Sequence, residues 1–232
     1  MKTIKMFKLL SVLVLSVPML GHATTFQIKN GSKLYNAQLD VAECEKDECS
    51  GRAKILLYKK GRQQVFQILT SENLNFYLDK QQQPSVNVIQ LYNEQSPLIF
   101  EDFNFDGQQD LAIRNGNESS YGGPSYDVYV FNKTRQKFVI SDELTALVTE
   151  NLGMFQTDAK RKRLMTFAKS GCCFHVTSEY AVIPNKGLKL VYEVTEDAMG
   201  GEQVKVTTKT YNLSTNKWQT TVKKYPIDDY YQ

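Results

Sequence analysis

The chain has 232 residues, 41% of them hydrophobic, with 28 basic against 25 acidic side chains and a formal net charge of +3. Three of the basic residues, Lys2, Lys5 and Lys8, stand at the extreme N-terminus; the 28 less these three equal the 25 acids, so the rest of the chain is formally neutral. A neutral chain offers no electrostatic case for nucleic acid, and no apolar run reaches the roughly 18 residues of a membrane helix.

The three lysines lead into the apolar run Leu9-Leu10-Ser11-Val12-Leu13-Val14-Leu15-Ser16-Val17, which ends at Gly21-His22-Ala23. A basic start, a short apolar stretch and small residues at the cut describe a secretory signal peptide over residues 1–23. No cysteine lies near the cut, so no lipid or membrane anchor is expected, and residues 24–232 form one domain exported to a bacterial periplasm. That length can bury a sizeable core.

Cys44 and Cys49 flank the polar segment Glu45-Lys46-Asp47-Glu48, while Cys172 and Cys173 are adjacent. Four cysteines allow three pairings. The local ones, Cys44 with Cys49 and Cys172 with Cys173, are preferred, and the crossed arrangements stay open. A zinc site using these cysteines and His175 fits poorly, because the spacing is not that of paired CxxC knuckles and an exported chain meets an oxidising compartment.

The nine residues Asp102-Phe103-Asn104-Phe105-Asp106-Gly107-Gln108-Gln109-Asp110 alternate oxygen-bearing side chains in the manner of a calcium loop. In such loops positions 1, 3 and 5 point inward, glycine at position 6 permits the turn and the carbonyl of position 7 is a ligand. Asp102, Asn104, Asp106, Gln108 and Asp110 are therefore the expected metal ligands, with calcium as cofactor. An EF-hand needs glutamate at position 12 between helices; Ile113 stands there, between apolar runs of strand character. The plainer reading is an Asx-rich turn that binds nothing.

Directly after this loop comes Asn115-Gly116-Asn117-Glu118-Ser119-Ser120-Tyr121-Gly122-Gly123-Pro124-Ser125-Tyr126-Asp127, polar, glycine-rich and carrying two tyrosines. Tyrosine presents contact area with little entropy to lose, so Glu118, Tyr121 and Tyr126 are the candidate partner-binding residues. An ion in the preceding loop is expected to brace the root of this one.

Ser141 caps the single clear helix, 141–150, with Leu144 and Leu147 on one face. Lys160-Arg161-Lys162-Arg163 reads as a solvated hairpin tip. Lys169-Ser170-Gly171-Cys172-Cys173-Phe174-His175 is a second candidate surface. Between these elements, strand-like runs recur at 35–43, 53–59, 63–69, 86–92, 97–101, 110–114, 126–131, 137–140, 164–168, 174–183, 188–194, 203–211 and 217–223, which makes the chain all-β. Phe131-Asn132 through Lys137-Phe138 and Tyr211-Asn212 through Lys217-Trp218 share one pattern, and a repeat of that kind favours a β-propeller-like arrangement of antiparallel strands over a β-sandwich.

Little supports catalysis. His175 is the lone histidine beyond residue 23, so a triad would have to use it, and no pair of acids is singled out for glycoside hydrolysis. The chain is expected to be no enzyme.

Taken together, DFNFDGQQDLAI, SSYGGPSYDVYVF and KSGCCFH behind a signal peptide resemble a family of periplasmic calcium-binding proteins that serve as immunity proteins. The calcium loop by itself is similar to those of FG-GAP and VCBS propeller blades. The resemblance covers roughly residues 90–200. It implies a propeller-like fold, a structural calcium ion, and inhibition of a lysozyme-like, peptidoglycan-cleaving effector of a bacterial secretion system, that hydrolase being the protein partner. The alternative is a secreted FG-GAP-type adhesion or carbohydrate-binding module.

Overall fold

The computed structural model describes residues 23–92, 94–184 and 186–231; the signal-peptide reading of residues 1–23 therefore falls, but for Ala23, outside them. Among the described residues fourteen strands form three antiparallel sheets, and within each sheet the strands follow one another in chain order.

The first sheet contains β1 (Thr24–Ile28), β2 (Tyr35–Glu45), β3 (Glu48–Lys59) and β4 (Val65–Tyr77). Its alternation is plain in β2, where Tyr35, Ala37, Leu39 and Val41 are buried and Asn36, Gln38 and Asp40 are not. One face packs and the other meets water. Cys44 and Cys49 face each other across the two-residue β2–β3 turn and are joined by a disulfide.

The second sheet contains β5 (Leu98–Glu101), β6 (Asp110–Gly116), β7 (Ser125–Asn132) and β8 (Lys137–Ile140). It is covered on both faces, which is why Leu98-Ile99-Phe100 and Leu111-Ala112-Ile113 are continuous apolar runs and do not alternate with polar residues. Leu98, Phe100, Leu111, Ile113, Phe131 and Phe138 join the core shared with the first sheet. Ile99, Ala112, Tyr126 and Val128 turn the other way and pack with Leu144, Leu147 and Val148 of helix α1 (Asp142–Thr149) and with Met154, Phe155 and Leu164. Two polar stitches fix the sheets: the Gln67 carboxamide both donates to and accepts from the backbone of Phe138, and the Ser71 hydroxyl donates to the Arg114 carbonyl.

The third sheet contains β9 (Gln156–Asp158), β10 (Arg163–Ser170), β11 (Phe174–Ile183), β12 (Gly187–Asp197), β13 (Gln203–Asn212) and β14 (Lys217–Pro226), followed by one helical turn, α2 (Ile227–Tyr230). No ladder among the described residues closes into a barrel, so the protein is all-β, an open stack of meanders of sandwich or propeller-like kind.

The repeated pattern proves to be one hairpin turn used twice. Asn132 accepts the amide of Arg135, Asn212 accepts those of Ser214 and Thr215, and Gln136 and Asn216 adopt the left-handed conformation before the return strand. The basic tip uses a third copy, with Asp158 accepting the amide of Arg161 and Lys162 left-handed. Arg161 is held there by Asp158 and Glu179.

One expected strand is absent. Residues 86–92 make only isolated bridges, Val86 with Leu98 and Ile89 with Gln95. Asn87 and Tyr92 have φ of 62° and 61°, which breaks the pleat at both places. Asn87 takes this shape because its side chain accepts the amide of Phe100 and donates to the carbonyl of Gly31.

Candidate partner-binding surface

Strand β6 runs from Asp110 to Gly116 and separates the two loops that the sequence places side by side. Seven residues at about 3.3 Å each span roughly 20 Å, so the acid loop and the tyrosine loop lie at opposite ends of the second sheet. The expectation that an ion braces the root of the tyrosine loop is corrected by this geometry.

The tyrosine loop is held by other means. Arg114, largely buried, reaches Asn117 Oδ1 at 2.6 Å; the amide of Glu118 donates to Ser125 Oγ; and the amide of Ser120 donates to the carbonyl of Asn151 behind α1. Burial lowers the Arg114 guanidinium from its usual range. A single 3-10 turn, Ser120–Gly122, then presents Tyr121 at φ 58° and ψ 28° with 61% of its surface exposed. A bulky residue in the left-handed region is strained unless its surroundings hold it there.

The surroundings come from the second candidate segment. The amide of Gly171 donates to the Tyr121 hydroxyl, and Lys169 Nζ lies 5.0 Å from the Tyr121 ring centre and 4.7 Å from that of Tyr92. Tyr92 is also left-handed and 62% exposed, and it meets Phe167 edge-on at 6.0 Å; Phe167 in turn lies against His175 at 5.7 Å. Cys172 and Cys173 are joined to each other in the turn between β10 and β11. The two segments singled out in the sequence thus form one surface: two protruding tyrosines about a shared ammonium, beside the disulfide turn. Glu118 is exposed, and no contact joins its side chain to these residues among the described ones.

Tyr126 is not part of it. Its ring is fully buried in the second core and its hydroxyl donates to the carbonyl of Ser96 at 2.7 Å, which corrects its assignment as a contact residue. Burial pushes its phenol far above the ordinary tyrosine value. The signal was present in the sequence, because Tyr126 shares strand parity with the core residue Val128. Tyr92 was missed, and nothing in its neighbours announces the left-handed turn that lifts it to the surface.

At the opposite end, the acid loop folds onto its own backbone. Asp102 accepts the amides of Asp106 and Gly107, Asn104 accepts that of Asp106, and Asp106 accepts that of Gln108. Asp110 departs from the expected ligand role: it is fully buried, and its two oxygens accept the amides of Phe103, Asn104 and Phe131. Burial, reinforced by the charge of Asp102, raises its carboxyl to about 7 despite these donors. Lys133, in the turn that follows β7, donates to the carbonyl of Asp106. Among the described residues no three Asp, Glu, His or Cys side chains gather as a metal set. Two carboxylates, Asp102 and Asp106, with the amide oxygen of Asn104 still give an all-oxygen donor group, whose chemistry fits a hard cation.

Two disulfides place the chain in an oxidising, extracytoplasmic setting, and no helix among the described residues is long and apolar enough to cross a membrane. The chain matches no protein-family model and no curated protein. It is similar in structure to a Xanthomonas type IV secretion system related protein, at 20% identity and a TM-score of 0.60, over 85% of this chain and 92% of that one. That likeness is one of fold.

Proposed function

We propose that the chain is a periplasmic immunity protein, itself without catalytic activity, that inhibits a lysozyme-like, peptidoglycan-cleaving effector. The observation that carries the reading is the posture of Tyr121: exposed, left-handed, tied to Gly171 and flanked by Lys169. A side chain already fixed in its protruding shape loses little entropy on entering a cleft. Hydrolases of this class work through paired carboxylates. The Tyr121 hydroxyl accepts from Gly171 and so keeps its own proton to donate, and Lys169 brings a positive charge beside it; both suit an acidic groove. The shared fold with a type IV secretion system related protein supports the association with secretion.

The acid loop would hold calcium through Asp102, Asn104, Asp106 and the carbonyl of Gln108, with Asp110 clasping the backbone behind them. Calcium there would stiffen the loop without touching the partner surface.

The test is inhibition of a co-encoded cell-wall hydrolase by the purified protein. Loss of inhibition in Tyr121→Ala, with an unchanged circular dichroism spectrum, is expected. Full inhibition by a Tyr92→Ala/Tyr121→Ala/Lys169→Ala variant would overturn the surface, and binding to glycan chains without effect on any hydrolase would favour a carbohydrate-binding module.

A further inference from the structure

Strand β14 is the open edge of the third sheet and pairs with β13 alone, in unbroken register from Asn212 opposite Lys217 to Gln203 opposite Pro226. All ten of its residues are exposed, and apart from Trp218 against Tyr211 of β13 and Tyr225 against Tyr230 of α2 its faces are open, as is its free edge. Proteins ordinarily shorten, bulge, cover or charge such an edge, because its unpaired amides and carbonyls are a template for another strand; lysines of the kind that line β14 repel like-charged strands and leave an acidic one as the partner that fits.

The charge on this hairpin is one-sided. From Gln203 to Pro226 the sequence holds five lysines and no acid, within a chain that is neutral beyond residue 23. Lys209 is paired with Glu193 at 2.8 Å, while Lys217, Lys223 and Lys224 stand on β14 itself and make no ion pair among the described residues. Trp218 and Val222 add exposed apolar surface on one face of the strand, and Tyr225 on the other. A second copy of the chain fits this edge badly. Antiparallel self-pairing centred on Thr220, or between Thr220 and Thr221, sets Lys217 opposite Lys223 or Lys224, and like charges directly opposite destabilise a ladder.

We propose that β14 is a docking edge for an extended acidic segment of another protein, which adds a seventh strand to the third sheet. Main-chain hydrogen bonds supply the affinity, and carboxylates facing Lys217, Lys223 and Lys224 set register and selectivity. The edge lies three strands from β11, about 14 Å at 4.8 Å per strand, so occupancy is separable from the Tyr121 surface.

The experiment is fluorescence polarisation of the purified protein with a labelled eight-residue peptide alternating glutamate and valine, beside a lysine–valine counterpart and a glutamate–valine peptide N-methylated at alternate residues. The acidic peptide is expected to bind, and binding should weaken about ten-fold or more, 1.4 kcal/mol, on N-methylation or in the Lys217→Glu/Lys223→Glu/Lys224→Glu variant, which should keep its melting temperature and its hydrolase inhibition. Equal binding of the N-methylated or the lysine peptide overturns strand addition. Failure of the acidic peptide also overturns it, whether the protein proves to be a dimer that the variant dissociates, is retained by phosphatidylglycerol vesicles, or does neither.

Discussion

The amide of Gly171 donates to the hydroxyl of Tyr121 across fifty positions of sequence. This one bond ties the disulfide turn of the third sheet to the tyrosine loop of the second. Replacing Tyr121 by alanine removes both the ring and the acceptor, and the inhibition constant against a cognate hydrolase should rise by about 30-fold or more, the scale of an interface hot spot near 2 kcal/mol. Tyr121→Phe keeps the ring and should lose less. Equal potency of Tyr121→Ala and the parent in a turbidity assay on cell walls would rule out the role.

Lys169 serves two rings at once. Lys169→Met retains the stem and removes the charge, and each exposed cation–π contact contributes about 0.5–1 kcal/mol. Inhibition should weaken several-fold while the melting temperature changes little. A large thermal shift with unaltered inhibition would mean that Lys169 is a scaffold residue only.

Asp110 satisfies three backbone amides from a fully buried position. Asp110→Ala leaves those amides without acceptors, at about 1–3 kcal/mol for each orphaned group, so urea denaturation should show a loss of about 3 kcal/mol or more. A change below about 0.5 kcal/mol, the usual range of surface substitutions, would contradict this role.

If the acid loop takes calcium, chelation lowers the melting temperature by an amount that grows with occupancy. Asp106→Ala should abolish the difference between chelated and calcium-supplemented samples, because Asp106 is one of two carboxylates in the donor group. Superimposable melting curves for the parent protein with and without chelator would remove calcium from the account.

Tyr126→Phe separates framework from surface. It deletes the hydrogen bond to Ser96, at about 1 kcal/mol for a buried bond, and should leave inhibition unchanged. Weakened inhibition at full occupancy of the folded state would restore Tyr126 to the contact set.

The sheets were legible because their packing writes directly into sequence. The second sheet is apolar on both faces and shows as solid runs at Leu98-Ile99-Phe100 and Leu111-Ala112-Ile113, whereas β2 alternates because only one face is covered. β1 follows directly on the N-terminal apolar run and has no pattern of its own, β9 has three residues and none to read, and 86–92 has strand-like composition but is broken by side-chain hydrogen bonds of Asn87 that no local pattern reveals. At the site, Tyr121 and the Lys169–His175 segment were each visible. Their meeting was not, since it depends on two sheets packing together. The brace assigned to the acid loop failed for a simpler reason: adjacency in sequence becomes distance once a strand lies between.

Within each sheet every strand pairs with its neighbour in the chain. Ladder contacts in a meander close through short loops, and such local contacts are reached faster than the long-range pairings of a Greek key. The slow entropic steps are thereby confined to stacking the finished sheets, through stitches such as Gln67 to Phe138, 71 residues apart. Each meander can form as soon as its own strands are available, before the next is complete.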